Sequence, residues 1–186
     1  RLTMRGRIAL RYPRGEAYDG LQEFRAPVVY GKSELLYDEC GLALVAVGSM
    51  VKTALQVREM LKGIGYSCTI VNGRFVKPVD EEMLQYLAAD HSMIVTMEEN
   101  VRSGGFGEKV LEYYNETGAD VQVLQIALPD DYIEHGNVDV LNRRPASMQS
   151  RSSSRSWHGI RRKGVFDERT IGCPSGQSGA GGLEGE

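Results

Sequence analysis

Cysteine is scarce in this chain: Cys40, Cys68 and Cys173 are the three in 186 residues. None stands in C-x-x-C spacing, so neither a zinc site nor a disulfide framework is suggested, and a reducing, cytoplasmic setting is expected. No apolar run approaches the roughly 20 residues that a membrane helix needs, and no signal-peptide pattern opens the chain. No membrane partner is therefore expected. Strong charge of one sign is also missing. A net charge of -3 and a pI near 5.7 argue against a nucleic acid or an acidic surface as partner. Hydrophobic residues make up 41%, a modest share that a polar tail dilutes. The first residue is Arg1 rather than methionine, and a strand-like run follows within a few residues. The expectation is a fragment that starts inside a larger fold.

What is present is a strict alternation of two kinds of segment. Leu42 to Val47 is continuously apolar and ends in Gly48-Ser49, with Ser49 a candidate helix N-cap. Met50, Ala54, Val57, Leu61 and Ile64 then recur at spacings of four and three, the mark of a helix with one buried face. Cys68 to Val71 reads as a strand, Asp80 as the cap of a second helix, and Met93 to Val95 as a further strand. Val110, Leu111 and Tyr114 line a third helix that stops at Gly118, and Val121 to Ile126 closes the series. Short links between such segments predict a three-layer α/β/α domain with a mostly parallel sheet and right-handed crossovers. Val28 to Tyr30 and Glu34 to Tyr37 flank Gly31-Lys32-Ser33, and the spacing predicts a hairpin.

The centre of the pattern is the run from Ile94 to Gly107. An apolar strand ends in Glu98-Glu99-Asn100 and passes into Gly104-Gly105-Phe106-Gly107. Carboxylates are costly to bury, so Glu98 and Glu99 belong where the strand leaves the sheet. Adjacent strand residues point to opposite faces, so these two cannot flank one reacting atom. One carboxylate in a domain or subunit contact and one in solvent is the expected arrangement. The glycine-rich turn lacks the Lys-Ser/Thr of a P-loop and does not fit G-x-G-x-x-G, which leaves close helix–sheet packing as its role. His91 is expected at the surface. His135 is expected to be a hydrogen-bonded loop histidine, with a place near a dimer interface as the alternative.

Four blocks together resemble the 1-deoxy-D-xylulose-5-phosphate synthases, thiamine-diphosphate enzymes of the transketolase superfamily. They are Ala9 to Gly15 (A-L-R-Y-P-R-G), Arg74 to Asp80 (R-F-V-K-P-V-D), Val95 to Asn100 with Gly104 to Gly107, and Leu128 to Gly136 (L-P-D-D-Y-I-E-H-G). Each is weak alone; their order and spacing carry the match. The resemblance implies that residues 1–15 are the end of the pyrimidine-binding domain, 16–38 a linker and entrance hairpin, and 39–141 a transketolase C-terminal domain. It implies an enzyme that condenses pyruvate with glyceraldehyde 3-phosphate and loses carbon dioxide. The product would feed isoprenoid, thiamine and pyridoxal synthesis, and the enzyme would work as a homodimer. The family's cofactors are thiamine diphosphate and magnesium. Their diphosphate–magnesium motif begins Gly-Asp-Gly, which this chain lacks, and the glutamate that activates the cofactor lies upstream of the Arg-Tyr-Pro-Arg-Gly block. No catalytic, cofactor-binding or metal residue is therefore expected in this fragment, and no turnover from it alone.

One substrate contact does carry over. The arginine of the Pro-Arg-Gly step falls on Arg14, and the resemblance implies that it meets the substrate phosphate, for which a guanidinium fork is suited. Arg11 is open to two readings, sharing that phosphate or pairing with a carboxylate. A second functional reading is a noncatalytic assembly module, as in transketolase or the beta subunits of 2-oxo acid dehydrogenases. Residues 143–163 carry seven Arg or Lys and no acid, which could be read as a nucleic-acid arm. The family pattern instead continues after Leu141 with an amphipathic helix that this sequence does not encode. Residues 142–186 are accordingly expected to be a disordered, frame-shifted tail.

Overall fold

The computed structural model describes residues 7–12, 18–24 and 26–130. Its elements are β1 (Glu34–Tyr37), β2 (Gly41–Ala46), α1 (Met50–Gly63), β3 (Cys68–Asn72), α2 (Glu81–Asp90), β4 (His91–Val101), α3 (Phe106–Thr117) and β5 (Gln122–Leu128). The five strands form one sheet in the order β1-β3-β2-β4-β5. β2 is parallel to both β3 and β4, and β4 is parallel to β5. β1 alone is antiparallel, on the outer side of β3.

The apolar runs are continuous because both faces of the sheet are covered. Leu42, Leu44 and Ala46 pack with Ile70, Val95 and Met97 beneath Val51 and Ala54 of α1. The alternate residues Ala43 and Val45 pack on the opposite face with Val71 and Ile94, beneath Leu84 and Leu87 of α2 and Phe106, Val110 and Tyr114 of α3. This is the expected three-layer α/β/α arrangement, one helix on one side and two on the other. The Tyr114 hydroxyl donates to the Leu84 carbonyl at 2.9 Å and joins α3 to α2. The Asp80 carboxylate accepts from the Ser33 N–H at 2.6 Å and the Met83 N–H at 3.4 Å, capping α2 as its position predicted. Gly118 takes the left-handed conformation, at φ 67°, that ends α3.

Three expectations need correction. The hairpin does not form: Val28 to Tyr30 stay exposed and outside any strand. β1 pairs with β3 instead, Glu34 opposite Asn72 and Leu35 opposite Val71. The Arg74 guanidinium donates to the Ala26 and Pro27 carbonyls, each at 3.3 Å, and holds that run off the sheet. The buried face of α1 is wider than expected: Met50, Ala54, Val57 and Leu61 pack against the core, but Val51 and Arg58 are buried beside them and Ile64, at the C-cap, is 69% exposed. Arg58 is tolerated there because its guanidinium lies 3.8 Å over the Tyr37 ring and pairs with Glu39. Finally, His91 is buried, as described below. The assignments for residues 1–6, 13–17 and 131–186, with Arg14, His135 and the tail among them, lie outside the described residues.

Candidate functional site

The strands β2 and β4 are neighbours, yet their exits diverge. β2 leads to α1 on one face and β4 leads to α3 on the other. In open α/β sheets such a divergence opens a crevice at the carboxyl edge, the usual place for function. Glu98 and Glu99 stand at that edge. The pairing of β4 with β5 breaks there: Met97 faces Ile126, but the next partners are Val101 and Leu128. Residues 98–100 are thus released from the flat ladder, and their side chains can turn toward the helices.

Each carboxylate serves a different helix. Glu98 is buried, and its two oxygens accept from the Phe106 and Gly107 N–H groups, both at 2.8 Å. These donors are among those that the first turn of a helix leaves without a partner, and the helix dipole favours negative charge there. The glycines make the approach possible. A Cβ on Gly105 would sit 2.6 Å from the Glu98 carboxylate and from the Val101 carbonyl oxygen. One on Gly107 would sit 2.5 Å from Thr96 Oγ1. The turn therefore is an anion cradle, and the anion is the chain's own Glu98. On the other face, Glu99 is exposed and accepts from the Ser49 hydroxyl at the start of α1. Ser49 holds the N-cap position, but its side chain goes to Glu99 and not to the helix backbone.

Arg11 reaches the same edge. Its Nη2 donates to the Glu99 carbonyl oxygen at 2.8 Å, a contact between residues 88 positions apart. The structure thus brings Arg11, Ser49, Glu98 and Glu99 together. The two carboxylates diverge to opposite faces and do not form an acid–base pair about one point.

Sequence reasoning missed a second polar group at the amino edge of the sheet. His91 is 4% exposed. Its Nδ1 lies 3.0 Å from the Leu87 carbonyl, and its Nε2 lies 2.9 Å from the Glu39 carbonyl and 2.8 Å from Thr69 Oγ1. Glu39 also accepts from the Cys68 N–H at 2.8 Å and pairs with Arg58. Desolvation raises the Glu39 carboxyl, but the Cys68 N–H and the Arg58 guanidinium outweigh it and hold the group below the usual carboxylate range. Burial pushes the Cys68 thiol up to about 12, so it is inert near neutrality. His91 stands two residues ahead of Met93, with Val95 and Met97 following at the same interval. Carrying that alternation backwards would have found it.

With this geometry in place, comparison with known proteins decides the family. The model of the transketolase C-terminal domain matches residues 31–144. The chain belongs to the transketolase C-terminal domain family. Among named relatives of this domain, the 1-deoxy-D-xylulose-5-phosphate synthase of Lachnoclostridium phytofermentans is 46% identical over 140 residues, which cover 75% of this chain and 22% of that enzyme. The synthase of Thermosynechococcus vestitus is 46% identical over 136 residues, covering 72% and 21%. The chain thus spans about a fifth of the length of these synthases. A solved split-gene transketolase, an inactive beta4 tetramer, aligns with a TM-score of 0.56 at 28% identity, over 59% of this chain and 36% of that one.

Among the described residues no group of three or more His, Cys, Asp or Glu could hold a metal ion. The N–H groups that could cradle a diphosphate are filled by Glu98. No helix among the described residues is long and apolar enough to cross a membrane.

Proposed function

We propose that this chain is the C-terminal part of a 1-deoxy-D-xylulose-5-phosphate synthase. The parent enzyme condenses pyruvate with glyceraldehyde 3-phosphate, releasing carbon dioxide, in isoprenoid, thiamine and pyridoxal precursor synthesis. The observation that carries this reading is the 46% identity to such a synthase across three quarters of the chain. Thiamine diphosphate and magnesium are bound by upstream parts of the parent, where the Gly-Asp-Gly motif that this chain lacks would lie. This part contributes Arg14 to the phosphate of the aldehyde, at the end of a pyrimidine-binding domain that closes near residue 15. Residues from about 39 to 141 support assembly of a cytoplasmic homodimer. Neither nucleic acid nor membrane is a partner.

The test is turnover. The purified chain, given both substrates and both cofactors, yields no product. The same chain joined behind the upstream part of the Lachnoclostridium phytofermentans synthase yields 1-deoxy-D-xylulose 5-phosphate. An inactive, folded fusion overturns the reading. A second reading, a noncatalytic assembly module, is favoured by the likeness to the inactive beta4 tetramer. Light scattering separates the two: a strict monomer at high concentration counts against any assembly role.

A further inference from the structure

Residues 18–24 read as linker in the sequence, and the family match begins only at residue 31. The structure nevertheless lays them on the domain. Leu21 and Phe24 are half-buried against the core cluster on the α1 side of the sheet, while Gln22 and Glu23 between them stay exposed. The Phe24 N–H donates to the Leu21 carbonyl at 3.1 Å, a turn that draws the two apolar residues together. The Tyr18 ring lies 5.7 Å from the Lys52 ammonium of α1. The Phe24 ring meets Tyr37 of β1 edge to face, with centroids 5.4 Å apart.

What this segment adjoins is a buried charge. The same Tyr37 ring carries the Arg58 guanidinium at 3.8 Å, and Arg58 pairs with Glu39. Glu39 in turn accepts from the Cys68 N–H through its carboxylate and faces His91 through its carbonyl. Attraction between a cation and an aromatic ring grows as water is removed, and a partly buried ion pair is screened less than an exposed one. A cover over Tyr37 therefore strengthens both contacts of Arg58.

We infer that residues 18–24 are a strap of this domain and not a free linker. Docked through Leu21 and Phe24, they keep water from the seam of Tyr37, Arg58 and Glu39, and so help to tie α1 to the amino edge of the sheet. The folding unit accordingly includes residues 18–24, ahead of the family match. Release of the strap is coupled to the polar groups at that edge, which a freely moving linker would leave untouched.

Urea unfolding of the full chain at pH 7 tests this. Phe24→Ala raises the unfolding constant about tenfold, through lost burial and the lost ring pair. Phe24→Leu keeps the apolar bulk, guards against a variant that fails to fold, and raises the constant about threefold. An unchanged constant in Phe24→Leu and Phe24→Ala alike overturns the strap. Combining Phe24→Leu with Glu39→Gln reads the seam. Glu39→Gln has an effect smaller by a factor of about two or more in the Phe24→Leu background than in the wild type, because the pair it removes is already wetter. Equal effects in the two backgrounds overturn the sealing role. Hydrogen exchange of the wild type needs no variant: the Phe24 N–H exchanges at least about tenfold more slowly than in an unfolded chain. Exchange at the unfolded rate overturns the strap.

Discussion

The two edges of the sheet treat polar groups in opposite ways. At the amino edge, His91 and Thr69 bond to each other and to Glu39, and Glu39 pairs with Arg58, all within the domain. At the carboxyl edge, Glu98 is satisfied inside, but Glu99 stays exposed and its carbonyl receives a residue from far along the chain. The difference follows from topology. Strands that enter a sheet come in together and crowd their polar groups against one another. Strands that leave it toward opposite faces separate, and the gap admits another segment. A polar network at one end of a parallel sheet can thus be structural while the other end is available for docking.

Predictions that break or sharpen this contrast run from large effects to small. Ile94 lies fully buried midway between the edges. Ile94→Ala should cost about 2–5 kcal/mol in urea unfolding, which sets the scale for both ends. Glu98→Ala comes next, at about 2–3 kcal/mol, because it orphans two helix N–H groups and removes a favourable charge. Added acetate or phosphate should recover part of that loss, and a midpoint indifferent to anions would mean that the cradle has collapsed.

Thr96→Val tests the space beneath α3. Thr96 Oγ1 is buried without a hydrogen-bond partner among the described residues and faces Gly107. The change should be neutral or stabilising by up to about 1 kcal/mol, and a clear loss in thermal melts would reveal a partner for the hydroxyl.

The amino edge gives a pH signature. Glu39 titrates below its ordinary value of 4.5 in the folded chain. Its stabilisation is complete above that value and is lost as pH falls through the lower, folded pKa. Urea midpoints of the wild type and Glu39→Gln should therefore differ at pH 7, draw together as the pH falls below 4.5 and converge only once it has passed below the lower, folded pKa. A gap that persists unchanged into acid would remove Glu39 as the cause. Ser49→Ala should have the smallest effect on stability, under about 0.5 kcal/mol, since its bond to Glu99 is exposed.

Much of the fold was legible because its signals are local. The apolar runs of β2 and β4, the cap at Asp80 and the stop at Gly118 each depend on a few neighbouring residues. The hairpin failed because Val28 to Tyr30 and Glu34 to Tyr37 are equally strand-like by composition, and only the free edge of β3 chose between them. The stripe on α1 was legible at Met50, Ala54, Val57 and Leu61, but Arg58 was missed, because a paired and stacked arginine can take a place that hydrophobicity would assign to a leucine. Divergence of Glu98 and Glu99 was legible from strand geometry. Their partners were not, since Phe106 and Ser49 lie on different helices.

The order of residues by itself determined that this chain alternates strand and helix, covers both faces of a parallel sheet, and carries the blocks of a synthase. Periodicity and turn chemistry act over a few residues, so a linear string records them. Only the tertiary structure decided which hydrogen-bond donors meet the carboxylates and where Arg11 rests. Those choices depend on the break in pairing after Met97 and on a contact across 88 positions, and long-range satisfaction of polar groups leaves no local trace.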